Sequence, residues 1–176
     1  VSKKEHNLLS PYQGQDLKQA KEAKLGHIIY LDHLRSAFNV GSIIRCTEAL
    51  QIGSIALSPQ TPGPTHPQVQ KASMDTWQWV DYLENPDLDS LKRPLIILET
   101  HPQAIFCEDF IFPDACTLVL GNEEYGCSQA LTKRADAIIT IPMYARKHSI
   151  NVANAYAIVA HEMRSQWRKK KLDLGE

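Results

Sequence analysis

Three clusters of polar side chains stand where an otherwise apolar chain passes between elements. The first is Asn39 and Arg45, six positions apart, in "NVGSIIR" (39–45). The second is Glu123 in "GNEEYGCS" (121–128), between Gly121 and Gly126. The third is Arg146, Lys147, His148, Ser149, Asn151 and Asn154 in "IPMYARKHSINVANAYAIVAHEM" (141–163), just ahead of the most apolar helix. A guanidinium, a carboxylate, amides and a hydroxyl can orient a polar ligand and hold a fixed cation against developing negative charge. Arginine is effectively always protonated, so Arg45 suits electrostatic stabilisation better than proton abstraction. Taken singly, each residue also has a plainer reading. Asn39 and Ser149 suit helix caps, Glu123 suits the cap of a following helix, and Arg45 suits a surface ion pair.

The remaining residues exclude several chemistries. Four cysteines (Cys46, Cys107, Cys116, Cys127) lie far apart without a CxxC pair, which fits small core residues in a reducing cytosol. Seven histidines are scattered without an HxH or HxxxH pair, so no metal site is expected. No P-loop, GxGxxG turn or GxSxG elbow is present, which removes support for nucleoside triphosphates, NAD and serine hydrolysis. The net charge of −1 rules out coating nucleic acid by bulk positive charge. RNA contact would therefore rest on local basic clusters, Arg146-Lys147-His148 and the tail "RSQWRKKK" (164–171), the latter equally a solvated helix end. With 43% hydrophobic and 22% charged residues, no bilayer-length apolar run and no start resembling a secretory signal, a cytoplasmic globular protein is expected.

The elements that must position these clusters alternate. Residues 1–25 have helical spacing of Lys, Gln and Glu and are expected to form an N-terminal helical arm ahead of a single domain over 26–176. Apolar runs predict strands at "HIIYL" (27–31), "SIALS" (54–58), "TWQWV" (76–80), "PLIILE" (94–99), "TLVLG" (117–121) and "AIITIP" (137–142). Helical spacing predicts a helix in 39–50, capped by Asn39 and stopped before Gly53, a short one in 86–92, and a last one over 149–168. "PQTPGPTHP" (59–67) reads as a Pro-rich loop. Near-continuous apolar strands between helices argue for an α/β fold with a parallel sheet covered on both faces. Ligands of such sheets bind beyond the carboxyl ends of the strands, where the polar clusters lie.

"NVGSIIR", "LVLGNEEYG" and "IPMYARKHSINVANAYAI", in this order and at these separations, resemble the three motifs of the SpoU (TrmH-like) RNA methyltransferases of the SPOUT class. The resemblance runs from about Leu25 to Glu162 and includes Lys71 after the Pro-rich loop. It implies a parallel sheet whose C-terminal part is threaded into a deep trefoil knot, against the general rule that chains are unknotted. It implies that S-adenosylmethionine (SAM) is held by Leu120, Gly121, Asn122, Gly126, Ile141 and Met143, with Ser149 and Ile150 closing the site. It further implies methyl transfer to a ribose 2′-hydroxyl, with Arg45 steadying the 2′-oxyanion. Asn39 would position Arg45 or the ribose, Glu123 would orient Arg45 or anchor its loop, and Ser149 and Asn151 would position substrate and cofactor. The expected partners are RNA, tRNA in preference to rRNA, and a second copy docked through the last helix. A catalytically silent RNA-binding member of the fold is the rival reading. The chain departs from the family pattern at Ala145 and Asp75, where glycine is common, and at Ala153, where serine is common.

Overall fold

A computed structural model describes residues 24–146 and 148–175. Residues 1–23 of the expected arm (1–25) lie outside them. Seven strands form one parallel sheet in the order β3-β2-β1-β6-β4-β7-β5. They are β1 (His27–Leu31), β2 (Gly53–Leu57), β3 (Tyr82–Glu84), β4 (Leu95–Leu98), β5 (Ile105–Phe106), β6 (Thr117–Leu120) and β7 (Ala137–Thr140). The central strands pair in register, Ile28–Leu31 with Thr117–Leu120 and Leu95–Leu98 with the same four residues of β6. Among the described residues, four helices accompany them: α1 (Ala37–Ala49), α2 (Pro67–Ser73), α3 (Gln129–Thr132) and α4 (Val152–Asp173).

Both faces of the sheet are covered, which explains why its strands read as unbroken apolar runs rather than alternating ones. Ile29, Leu31, Leu118 and Ile96 face a large core shared with Val40, Ile43 and Ile44 of α1 and with Tyr156, Val159 and Met163 of α4. Ile28, Tyr30, Val119 and Ile97 face a smaller core with Leu131 of α3 and Leu91. Between α1 and α4 the Tyr156 hydroxyl, fully buried, shares a 2.7 Å hydrogen bond with Thr47 Oγ1. That bond satisfies two polar groups that would otherwise be costly inside.

The helix and strand boundaries correct several expectations. Ser36, not Asn39, caps α1: its Oγ accepts from Asn39 N at 3.2 Å, which places Asn39 inside the first turn. Gly53 does not stop that helix, which ends at Ala49; it opens β2, where a Cβ would stand 2.8 Å from the carbonyl carbon of His27. Asn151 rather than Ser149 caps α4, accepting from Ala153 N at 2.9 Å and Asn154 N at 3.3 Å. "TWQWV" is not a strand. Met74 and Asp75 have φ of 53° and 68°, and this left-handed pair feeds a single 3₁₀ turn, Thr76–Gln78. The strand forms a few residues later as β3, at the sheet edge. The short helix expected in 86–92 is one 3₁₀ turn, Leu88–Ser90. The Pro-rich loop leads into α2, whose Pro67 occupies the first helical position and whose cap is His66.

Gly41 makes the packing of α2 on α1 possible. A Cβ there would lie 2.6 Å from Ala72 Cβ and 2.7 Å from Val69 O. Asp75 stands in the left-handed region that favours glycine, which accounts physically for glycine being the residue expected at that position.

Candidate active site

The cleft opens beyond the carboxyl ends of β4, β6 and β7 and encloses about 790 Å³ including its open mouth. Its walls are apolar at Leu98, Ile141, Met143, Ile150 and Val152, and polar at Glu99, Thr100, Glu123, Ser149 and Asn151. Gly121 and Asn122, from the end of β6, complete one side together with Gly126.

Local geometry explains the glycines. Asn122 and Gly126 exchange backbone hydrogen bonds of 3.0 Å across a tight turn. Asn122 Oδ1 accepts from Glu124 N and Tyr125 N inside that turn, while its Nδ2 donates to His33 O at 2.6 Å. A Cβ on Gly121 would stand 2.5 Å from Cys127 N. Gly126 has φ of 70°, and a Cβ there would meet the Glu99 carboxylate at 2.5 Å. Glu99 Oε2 also accepts from Cys127 N at 3.1 Å, and Thr100 Oγ1 donates to His148 O at 3.1 Å. The segment after β4 thus ties both motif loops to the sheet.

One polar chain joins the three clusters. Glu123 accepts from the backbone N–H groups of Arg35 and Ser36, each at 3.1 Å, and from Asn39 Nδ2 at 2.9 Å. Its carboxylate therefore sits on the unpaired donors at the positive end of α1. Burial pulls its pKa up, but these donors prevail and hold it below the usual glutamate range. Asn39 is only 6% exposed, and its amide is used at both ends. Only the nitrogen can donate to Glu123, which leaves Oδ1 to accept from Asn151 Nδ2 at 3.0 Å. Asn151 in turn caps α4.

These contacts revise the expected division of labour. Glu123 anchors its loop to α1 and does not bond Arg45. Asn39 is a bridge between Glu123 and Asn151 and makes no hydrogen bond to Arg45 among the described residues. Arg45 does not line the cleft. It lies on the exposed side of α1, with Phe38, Ser42, Lys71 and Met74, in a groove against α2. Leu120 is fully buried and supports the cleft without lining it. Gly121, Asn122, Gly126, Ile141, Met143, Ser149 and Ile150 do line it, together with Glu123 and Asn151. Sequence reading missed Leu98, Glu99, Thr100, Thr140, Val152 and Ala155. The "LET" at 98–100 was findable, because it follows β4 at the ligand-binding end of the sheet.

No group of three or more His, Cys, Asp or Glu placed to hold a metal occurs among the described residues. Burial, then Glu99 and Asp32, push the thiol of Cys127 strongly up, so the cysteine beside the cleft is not a thiolate.

A family model, the SpoU rRNA Methylase family, matches residues 26–161. The chain belongs to the SpoU rRNA methylase family. A Staphylococcus aureus relative described as a TrmH family tRNA/rRNA methyltransferase is 28% identical, covering 96% of this chain and 71% of its own. The AdoMet-bound rRNA methyltransferase of Sinorhizobium meliloti shares the SpoU fold, with a TM-score of 0.73 and 22% identity over 83% of this chain and 59% of its own. The TrmH/SpoU tRNA modifying enzyme of A. aeolicus does so with a TM-score of 0.75 and 23% identity, over 88% and 83%. The chain spans 66–71% of the length of the curated SpoU relatives it matches. No helix among the described residues is long and apolar enough to cross a membrane.

Proposed function

We propose that this SpoU-family chain is a SAM-dependent RNA methyltransferase of the cytoplasm that methylates a ribose 2′-hydroxyl, in tRNA rather than rRNA. The observation that carries the reading is the cleft built by the second and third motif loops and closed by Ser149, Ile150 and Asn151. Its residues fit the cofactor. The apolar walls suit an adenine, the carboxylates of Glu99 and Glu123 suit a cationic rather than a phosphate-bearing ligand, and Ser149 and Asn151 offer polar contacts. When bound, SAM supplies an electrophilic methyl group on a sulfonium. The chain's own residues hold and orient. The donors that hold the Glu123 pKa below the usual glutamate range make it a poor base, and a guanidinium has no free lone pair to accept a proton, so the hydroxyl proton leaves to water at the open mouth. Arg45 has no hydrogen bond or ion pair among the described residues and serves the acceptor strand as a fixed cation.

Ribose is favoured over a base carbon because carbon methylation through a covalent adduct needs a thiolate, which Cys127 does not provide. The preference for tRNA rests on the extent of the likeness to the A. aeolicus enzyme. A trefoil knot is supported by the family to which the chain belongs and by the fold it shares with the solved SpoU structures. A homodimer through α4 is supported by the exposed face of Ile150, Asn154, Ile158 and His161. Ala153 and Ala160 of the same helix pack into the chain's own core and are not part of that face.

The test is transfer of labelled methyl from SAM to tRNA, to rRNA, and to an RNA with a 2′-deoxy residue at the mapped position. Methylation of tRNA that the deoxy substitution abolishes is expected. Continued methylation of the deoxy substrate would move the acceptor to a base, and SAM binding without any transfer would leave a silent RNA-binding protein.

A further inference from the structure

The groove between α1 and α2 is not used by the cofactor reading, yet it is a built feature. It has a volume of about 1170 Å³, open side included. Phe38, Ser42 and Arg45 recur at helical spacing on one side, and Gln68, Lys71 and Met74 line the other. Phe38 is 69% exposed and Met74 is 63% exposed, at positions where a lone domain would normally carry polar residues. Met74 is also held in a left-handed conformation at φ 53°, directly followed by Asp75 at φ 68°. Met74 ends α2 as its left-handed C-cap, and at that turn it lines the groove together with Phe38.

The groove's charge identifies its occupant. Arg45 and Lys71 line it, no carboxylate does, and neither cation has an ion-pair partner among the described residues. Unpaired cations beside an exposed aromatic form the pattern that binds single-stranded nucleic acid, with phosphate on the charges and a base on the ring. The groove and the cleft also meet at one place. Ser36 and Asn39, in or next to the first turn of α1, bond Glu123 at the cleft, while Phe38 of that same turn lines the groove.

We propose that this groove seats the nucleotide next to the methylated one in a single-stranded stretch of RNA. The base stacks on Phe38 and lies against Met74, and Lys71 and Arg45 neutralise the flanking phosphates. The proposal rests on the RNA-methyltransferase reading for the identity of the nucleic acid, and it adds Phe38 and Met74, which lie outside the motifs that carry the resemblance.

The test measures binding of a fluorescein-labelled oligouridylate to the full chain, without SAM, by anisotropy. Phe38→Ala should weaken binding about tenfold to a hundredfold, and Phe38→Trp should restore it. Lys71→Ala should lower the slope of log affinity against log salt by about 0.7, one phosphate on a single strand. The stacking component should vanish on an abasic version of the oligonucleotide, where wild type and Phe38→Ala should bind alike. Phe38 is exposed, so an unchanged melting temperature is expected and checks that the variant is folded. Equal affinity of Phe38→Ala and wild type for oligouridylate would overturn the proposal. So would loss of self-association in Phe38→Ala with RNA affinity intact, because the groove would then hold a second copy. Methyl transfer is scored separately. A wild-type chain that binds through Phe38 but methylates nothing keeps this proposal and removes the catalytic reading, and the reverse pattern does the opposite.

Discussion

Replacing Glu123 by glutamine keeps the shape of the side chain and removes the charge that holds α1 to the loop after β6. The carboxylate accepts three hydrogen bonds, two from the backbone of Arg35 and Ser36 and one from Asn39. Glutamine has one acceptor oxygen, and its NH₂ group faces backbone donors. For a half-open site the lost acceptor is worth about 1 kcal/mol. The lost charge at a helix N-terminus adds roughly 0.3–1 kcal/mol. A total of about 1.3–2 kcal/mol lowers the melting temperature of a domain this size by roughly 3–8 °C. The effect has a pH signature. Burial raises the Glu123 pKa, but the donors outweigh it and the folded pKa lies below the unfolded one. The stabilisation is therefore complete above the unfolded glutamate pKa and is lost as pH falls through the folded value. Scanning calorimetry of wild type and Glu123→Gln near neutrality should show the full gap, which should begin to narrow as pH falls below the unfolded glutamate pKa of about 4.3. Coincident melting near neutrality, or a gap that persists unchanged in acid, refutes this account of the carboxylate.

Other consequences are open to measurement. Asn39→Ala and Asn151→Ala should each destabilise the fold, and the double variant should fall short of their sum by about 0.5–1.5 kcal/mol, because each mutation breaks the same bond; strict additivity in urea unfolding would deny the bridge. Gly121→Ala should weaken SAM binding at least about tenfold in calorimetry while far-ultraviolet dichroism stays unchanged, since a methyl group 2.5 Å from Cys127 N forces the turn open. Burial, then Lys92, lower the His27 pKa to about 4, against the opposing pull of Asp114. The unfolded chain then binds the extra proton first, so stability is full above about pH 6.5 and falls by roughly 2 kcal/mol at about pH 5. His27→Gln should flatten that part of the profile, and an unchanged slope would show that other groups set it. Asp75→Gly should raise stability, because relief of about 1–3 kcal/mol of left-handed strain outweighs the roughly 0.5–1 kcal/mol entropic cost of glycine, and a lower melting temperature would contradict the φ-based reading.

The sheet was largely legible because four of its strands, β1, β2, β4 and β6, are buried on both faces and announce themselves as apolar runs, while β7 is half-buried but equally apolar. β3 and β5 lie at the edges, with Leu83, Ile105 and Phe106 exposed, so their short segments carry little burial signal. "TWQWV" misled because its aromatic and β-branched residues match strand preference, while the left-handed turn before it decides the local path. The motif residues of the cleft were mostly readable. Their pairing was not, since Glu123 and Asn39 are 84 positions apart and only the fold brings a carboxylate to that helix end. Arg45 shows the limit of motif reading in the other direction. Spacing on a helix placed it six residues from Asn39, and the same spacing turned it away from the cleft.

The chain of bonds from Glu123 through Asn39 to Asn151 has a thermodynamic meaning for the two recesses it separates. It holds the N-termini of α1 and α4 to one loop, so neither helix end can shift without the other or without Glu123. A ligand in the cleft presses on Glu123 and Asn151, and a strand in the groove presses on the first turn of α1. The two occupants then share one free-energy term. Whatever factor SAM applies to the affinity for RNA, RNA must apply to the affinity for SAM, and Asn39→Ala should bring both factors towards one together.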